Sequence, residues 1–370
     1  MGIVILLVLR RLLAGMLLFV LAVLPRQVLA QSAQLDDFVA EYAQQHDFSG
    51  TVLVQQDGKR RYQRSFGLSS VQLGVANTGQ TRYWIASITK LFTSTLVLQL
   101  HQEGKLDLQA TIGTYLPDYA GEGADKVTLH QLLNHTSGLD NFDQVKSLEQ
   151  ALKQGLPNYQ TPYTSEQLLQ KFCSGSLVHA PGTTFDYNNG DYIILGKIIE
   201  RITRRTYEQV LRERILTPLG MADTGMLHYH NIIKGLASTY SYRDDLKALS
   251  NDFPVYPENW YAAGAMYSTV SDVLKFSNAL FGSELLQKEN VALLTTPGLD
   301  DYGYGLWIYE TRVGAAKYRV AKRPGRIMGA QAQLYHFLDK DLTVVILANT
   351  AGTDLDGFVA RIGKAALSTP

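Results

Sequence analysis

The sequence predicts an α+β chain: a mostly antiparallel sheet built from both termini, with flanking helices and an inserted all-helical lobe. Three observations predict it. Strand patterns joined by a strong turn signal lie near the N-terminus, in "SGTVLVQQDGKRRYQRSFGLSS". Strand patterns return near the C-terminus, in "YGYGLWIYE" and "GAQAQLYHFLDKDLTVVILANT". Between them, Thr111 to Gly220 reads as helical segments joined by Gly-, Pro- and Asn-rich loops, with no convincing strand. The expected organisation is an export segment at 1–30 followed by a single domain at 31–370. Within that domain, about 31–105 and 225–370 form the α/β lobe and about 106–224 the helical lobe. The cleft between the lobes is the natural pocket.

Taken in order, residues 1–30 carry Arg10 and Arg11, an apolar run from Leu12 to Leu24, and Val28-Leu29-Ala30 before Gln31, which reads as an export signal cleaved after Ala30. The alternative is an uncleaved anchor, but the run falls short of the ~20 residues that a span needs. No later segment is apolar for long enough to cross a bilayer. Leu35 to Gln45 reads as a helix, and Asp57-Gly58 as the turn of a hairpin. Near residue 262, "AAGAMYSTVSDVLKFSNALF" places Thr269 and Asp272 at capping-box spacing before an apolar helical run. The last strand pair turns at Asp339 to Asp341, and a closing helix runs from about Asp354 to Leu367. No internal repeat or low-complexity linker interrupts this plan.

Composition narrows the function. The chain has 370 residues, 46% of them apolar, enough for a well-developed core. Lysine plus arginine and aspartate plus glutamate number 34 each, and cleavage after Ala30 removes only Arg10, Arg11 and Arg26, so nothing points to nucleic acid or anionic lipid as a partner. The single cysteine, Cys173, excludes an internal disulfide and a lipoprotein cysteine at the cleavage site, and reads as a small buried hydrophobe. The sequence leaves oligomeric state open.

The stretch Tyr83 to Leu100, "YWIASITKLFTSTLVLQL", contains one charged residue, Lys90. No other Asp, Glu, Lys or Arg occurs between Arg82 and Glu103, so this helix is built for burial rather than for solvent. Ser87 precedes Lys90 by three residues, which puts both on one helix face, a nucleophile beside a base. A serine hydroxyl needs a neighbour to take its proton, and burial supplies one by lowering a lysine pKa toward neutrality. The helix start also offers free N–H groups and a positive dipole end near Ser87. The chance reading, two fixed letters in four, is set against the fact that the pattern occurs once, at the start of the most apolar helix.

From here the chain resembles the serine β-lactamase and penicillin-binding-protein superfamily, on its class C and esterase-type branch. "WIASITK" resembles the Ser-x-x-Lys segment, "TLHQLLNHTSGL" (Thr128 to Leu139) a loop of that branch, and "PGTTFDYNNGDYIILGKIIE" (Pro181 to Glu200) its Tyr-x-Asn segment. "YAAGAMYSTVSDVLKF" resembles the Gly-Gly-x-x-Ser-Thr-x-x-Asp start of a helix. The resemblance implies a β-lactamase/transpeptidase-like fold, with Ser87 as acylated nucleophile and Lys90 and Tyr187 moving its proton. Asn189 would hold the lysine or the substrate amide. Tyr-x-Asn also occurs at Tyr229 to Asn231, but without the flanking Pro-Gly and helix.

The third family element departs from pattern. "KRPGRIMGAQAQL" aligns Arg323-Pro324-Gly325 with the usual Lys-Thr-Gly or His-x-Gly. Arg323 stays charged at any relevant pH, so it cannot shuttle protons, but it can bind a carboxylate or polarise Tyr187. Arg326 doubles the positive charge, and the site is expected to favour small-molecule or peptide substrates that are anionic. Pro324 lacks an N–H, tolerable on an edge strand, and offers no hydroxyl to a β-lactam carboxylate. By the resemblance, the backbone N–H groups of Ser87 and Arg326, beside Gly325, form an oxyanion hole.

His228-Tyr229-His230 lacks partners at a zinc spacing, and His135 reads as a hydrogen-bonding loop residue. No phosphate-loop motif occurs, and no cofactor or metal is expected. The leading expectation is an exported, periplasmic or secreted, serine hydrolase acting on a short-chain ester or a D-amino-acid peptide. The alternatives are a β-lactamase or D-alanyl-D-alanine carboxypeptidase, and a non-catalytic paralogue that binds cell-wall fragments or a protein.

Overall fold

The computed structural model describes residues 35–143, 145 and 147–367. The expected export segment, 1–30, lies outside the described residues.

After helix α1 (35–45), strands β1 (Gly50–Gln56) and β2 (Lys59–Phe66) form the expected hairpin. Asp57 and Gly58 both have positive φ, 51° and 68°, the backbone twist that a two-residue hairpin turn requires. Near the C-terminus follow β3 (Trp307–Val313), β4 (Ala316–Ile327), β5 (Ala330–Phe337) and β6 (Leu342–Ala348). The six strands form one antiparallel sheet in the order β3-β4-β5-β6-β1-β2, so the N-terminal hairpin docks on the last strand of the chain.

Both faces of this sheet are covered, which explains why β6 is apolar at every position but one. Val345 and Leu347 face the larger core, shared with the central helices. Val344, Ile346 and Ala348 face a second core under α1 and the closing helix, whose Tyr42 and Phe358 rings stack 4.1 Å apart.

Four further helices organise the molecule: α2 (Thr89–Gln102), α3 (Asn189–Thr203), α4 (Val270–Phe281) and the closing α5 (Leu355–Leu367). Residues Thr89 to Leu100 of α2 are all buried, as its lack of charge predicts. Its hydroxyls are paired inside: Thr93 donates to the Ala262 carbonyl at 2.7 Å, and Ser94 meets the Tyr192 hydroxyl at 3.0 Å. Between Ile112 and Leu216 the named elements are all helical. At the start of α4, Thr269 accepts from the Asp272 N–H at 3.2 Å. The Asp272 carboxylate turns instead to the Asp223 N–H and the Thr224 hydroxyl, so only half of the capping box forms.

One strand needs a correction. β4 is second in the sheet rather than at its edge, yet its pairing with β3 stops at Trp307 and Lys322. From Arg323 to Ile327 it is paired on the β5 side alone, so Pro324 sits on a local edge where a missing N–H breaks no ladder. That free side faces the Ser87 segment.

Candidate active site

Ser87 lies in a short 3-10 turn, Ala86–Ile88, that leads into α2. Ala86, just before it, has φ of 47°, a left-handed conformation that costs an alanine energy and that the surrounding packing imposes. Gly325 explains part of that packing. A Cβ there would lie 2.3 Å from the Ile85 carbonyl oxygen and 3.1 Å from the Ser87 nitrogen, so only glycine lets the strand approach this closely.

The structure brings Lys90, Tyr187, Asn189 and Arg323 to Ser87. Tyr187 donates from its hydroxyl to Ser87 Oγ at 2.9 Å, and Lys90 Nζ donates to the same oxygen at 3.4 Å. Lys90 also donates to Asn189 Oδ1 at 2.6 Å and to the Ala263 carbonyl at 2.9 Å. None of these partners is an anion. Burial therefore dominates, and with the Arg323 charge nearby it brings the Lys90 ammonium down to about 8.

Arg323 is 1% exposed, and each of its three nitrogens is engaged. Nε donates to the Ser87 carbonyl at 2.8 Å, Nη1 to the Tyr302 hydroxyl at 2.8 Å and Nη2 to the Tyr187 hydroxyl at 2.5 Å. Burial pushes the Tyr187 phenol up, but the Arg323 guanidinium, then the Lys90 ammonium and their hydrogen bonds, outweigh it and bring the phenol down to about 8. Trp307 stacks on the Tyr187 ring at 6.1 Å between centroids and packs against the guanidinium, fixing both planes.

Arg326 does not join this group. Its Nη2 pairs with Asp356 at 2.8 Å in the first turn of α5, and Lys322 meets the same carboxylate at 2.5 Å. With Arg323 engaged by protein groups and Arg326 paired, the expectation of an anion-seeking site loses its basis.

Sequence reasoning missed several members. Asp143 accepts from Asn189 Nδ2 at 2.6 Å and from the Tyr159 hydroxyl, extending the chain of polar contacts away from Lys90. It lines a cavity of about 510 Å³ together with Tyr159, Phe253, Trp260, Arg326 and Ile327. In the sequence, Tyr302 and Trp307 stand out only as parts of a strand region. His135 is more than a loop residue: its Nδ1 lies 2.8 Å from Asp191 Oδ2, both side chains are fully buried, and its ring sits 4.5 Å from that of Tyr187. Burial pushes the Asp191 carboxyl well up and the His135 imidazole well down, the condition of a neutral pair. Ser137 donates to Asp191 at 2.6 Å, and the Asp186 N–H to the His135 carbonyl at 2.9 Å, which ties this loop to the residue before Tyr187. No motif spacing marks Asp143 or Tyr302, but "NHTSGLDNFD" holds both His135 and Asp143.

The second Tyr-x-Asn is elsewhere, with Tyr229 63% exposed. His228 pairs with Glu208 at 3.1 Å, and among the described residues no group of three or more His, Cys, Asp and Glu could hold a metal ion. Cys173 is buried.

The sequence model described as Beta-lactamase matches residues 35–367. A putative penicillin-binding protein, PbpX, of Bacillus subtilis is 26% identical over 273 residues, 73% of this chain and 64% of that relative, so the matched part is under two thirds of its length. A teichoic acid D-alanine hydrolase of Staphylococcus aureus is 26% identical over 84% of this chain and 72% of its own. Among solved structures, a D-stereospecific amidohydrolase from a Streptomyces species superposes with a TM-score of 0.75, at 25% identity, over 90% of this chain and 97% of the other.

Proposed function

Because the chain belongs to the β-lactamase family and is a serine hydrolase, we propose that it is exported and hydrolyses a small ester or amide, a short-chain ester or a D-amino-acid derivative, through an acyl-enzyme on Ser87. The observation that carries this reading is the Ser87 hydroxyl within hydrogen-bonding distance of two groups, Tyr187 and Lys90, whose pKa values both fall to about 8.

In the proposed reaction, Tyr187 in its ionised form, held by Arg323 and Lys90, takes the Ser87 proton as Oγ adds to the substrate carbonyl. The oxyanion is received by the backbone N–H groups of Ser87 and Arg326, which the Gly325 contact supports by drawing the strand against the Ser87 segment. Collapse of the tetrahedral adduct breaks the bond to the leaving alcohol or amine, which receives the proton from Tyr187. Water then adds to the acyl-enzyme, giving its proton to the same phenolate, and Ser87 recovers a proton as the acid departs. Asn189 holds Lys90 in place, and Arg323 supplies charge without titrating.

Export rests on the residue pattern of 1–30. The relative named a teichoic acid D-alanine hydrolase and the D-stereospecific amidohydrolase favour D-configured acyl groups as substrates. A β-lactam carboxylate finds neither a hydroxyl at Pro324 nor a free nitrogen on Arg323, so a nitrophenyl ester is expected to turn over faster than a chromogenic cephalosporin. The decisive experiment is the intact mass of the protein after a fluorophosphonate, with Ser87→Ala as control. One adduct, absent in the variant, supports the reading. A folded wild type that takes no adduct overturns it and favours a non-catalytic binding paralogue.

A further inference from the structure

We propose that Asp143 is the recognition residue for a positively charged amine on the acyl part of the substrate, so that the preferred substrates are aminoacyl esters or amides with a free ammonium. This rests on the serine-hydrolase reading of the same site.

Asp143 is joined to the reacting groups by a short path: Lys90 Nζ to Asn189 Oδ1 at 2.6 Å, then Asn189 Nδ2 to Asp143 Oδ2 at 2.6 Å. It also lines the cavity of about 510 Å³ at the boundary between the helical segment and β4. Among the described residues its two side-chain partners, the Asn189 amide and the Tyr159 hydroxyl, are neutral donors. Among the described residues the cation that acts on Asp143 is Lys90, two hydrogen bonds away, and once Lys90 is neutral neither donor compensates the carboxylate. Two donors also leave lone pairs free, because an ionised carboxylate has about four acceptor sites.

Among the described residues, the arginines around the cavity are already placed. Arg326, the arginine on its lining, is held by Asp356, and Arg323 faces Tyr187, Tyr302 and the Ser87 carbonyl. The cavity reaches Ser87 through Arg326 on its lining, the neighbour of the Gly325 that packs against the Ser87 nitrogen, and a partly buried carboxylate with neutral donors at such a wall selects a cation from solvent. The apolar lining, in which Tyr159 stacks on Trp260 at 3.8 Å, accommodates a short aliphatic or aromatic side chain on the same acyl group. A bound ammonium would also add a positive charge facing Lys90 and Tyr187, favouring their deprotonated forms when substrate is present.

The test compares three substrates with one leaving group: D-alanine p-nitroanilide, N-acetyl-D-alanine p-nitroanilide and propionyl p-nitroanilide. In the wild type, kcat/KM for the free amine is expected to exceed that of the other two by about tenfold or more, since a site built to pair a polar group rejects the analogue that lacks it. Asp143→Asn should collapse that ratio toward one, and a ratio is insensitive to partial loss of folded protein. A second readout needs no variant. The wild-type preference should fall as pH rises past about 8, where the substrate amine loses its proton, while any titration of Lys90 and Tyr187 cancels between substrates. Labelling of Ser87 together with equal rates for all three anilides, or an unchanged ratio in Asp143→Asn, overturns the amine assignment and leaves the hydrolase intact. Failure of Ser87 to label overturns both.

Discussion

Replacing Arg323 by glutamine removes the charge that faces Tyr187 and leaves a polar side chain in its place. The phenol lies at about 8 rather than the ordinary 10.0, although burial acts in the opposite direction. Two pH units correspond to a factor of about 100 in phenolate population, or about 2.7 kcal/mol. With its pKa at about 8, roughly one Tyr187 in four is ionised at pH 7.5. At 10 the fraction is about 0.3%. Lys90 remains in the variant, but Arg323 is the larger of the two cationic influences on Tyr187. The expected outcome for Arg323→Gln is therefore a loss of about 50- to 100-fold in kcat/KM at pH 7.5, partly recovered near pH 10. The acid limb of the profile, which belongs to the Tyr187 and Lys90 pair jointly, should move up by about two pH units. Arg323→Lys, which keeps the charge but not the three-way fork, should move it less. The assay is nitrophenyl ester hydrolysis from pH 6 to 10.5, with circular dichroism to confirm folding. A folded Arg323→Gln whose acid limb stays within about half a pH unit of the wild type would refute the argument that this guanidinium tunes the tyrosine.

Other consequences are equally direct. Gly325→Ala places a Cβ 2.3 Å from the Ile85 carbonyl oxygen, a backbone atom that cannot swing aside. It should lower kcat/KM by about 100-fold, with a reduced melting temperature on thermal unfolding, because a displaced strand misplaces the reacting groups; unchanged kinetics would contradict the close approach. If Asp191 is held neutral, as its raised pKa implies, Asp191→Asn should cost under about 1 kcal/mol in urea unfolding. Asp191→Ala, which strands Ser137 and His135, should cost about 2 to 4 kcal/mol. Equal losses in the two variants would mean that a charged pair is present.

What could be read from the sequence follows the range of the interactions concerned. Ser87 and Lys90 were legible because their relation is local, three residues on one helix, and because the absence of other charge announces burial. The hairpin at Asp57-Gly58 was legible for the same reason: the turn needs positive φ at both residues, and the letters supply it. β4 carries Lys317, Arg319, Lys322, Arg323, Pro324 and Arg326, a pattern with no clean alternation, and only the family resemblance placed a strand there. The short hairpins Leu68–Ser70 with Val75–Ala76 and Tyr240–Arg243 with Ala248–Asn251 are too brief for periodicity to register. Asp143 and Asn189 meet across 46 residues, and Arg326 and Asp356 across 30, distances at which sequence spacing carries no geometric information. Arg323 was recognisable as a cation near Tyr187, but that its nitrogens are occupied emerges only from three elements converging on it.

The strand order has a consequence for how the molecule comes into being. β1, made early, is paired on one side with β2, but its other partner is β6, and the hydrogen bond from Arg323 to the Ser87 carbonyl spans 236 residues. A growing chain thus carries Ser87 for most of its synthesis without Arg323, the cation that in the proposed reaction makes Tyr187 a base. Until β6 arrives, the N-terminal hairpin is a two-stranded unit of marginal stability. The proposed reaction therefore predicts an inactive nascent polypeptide, and a premature stop before Leu342 should yield a chain that neither closes its sheet nor acquires activity.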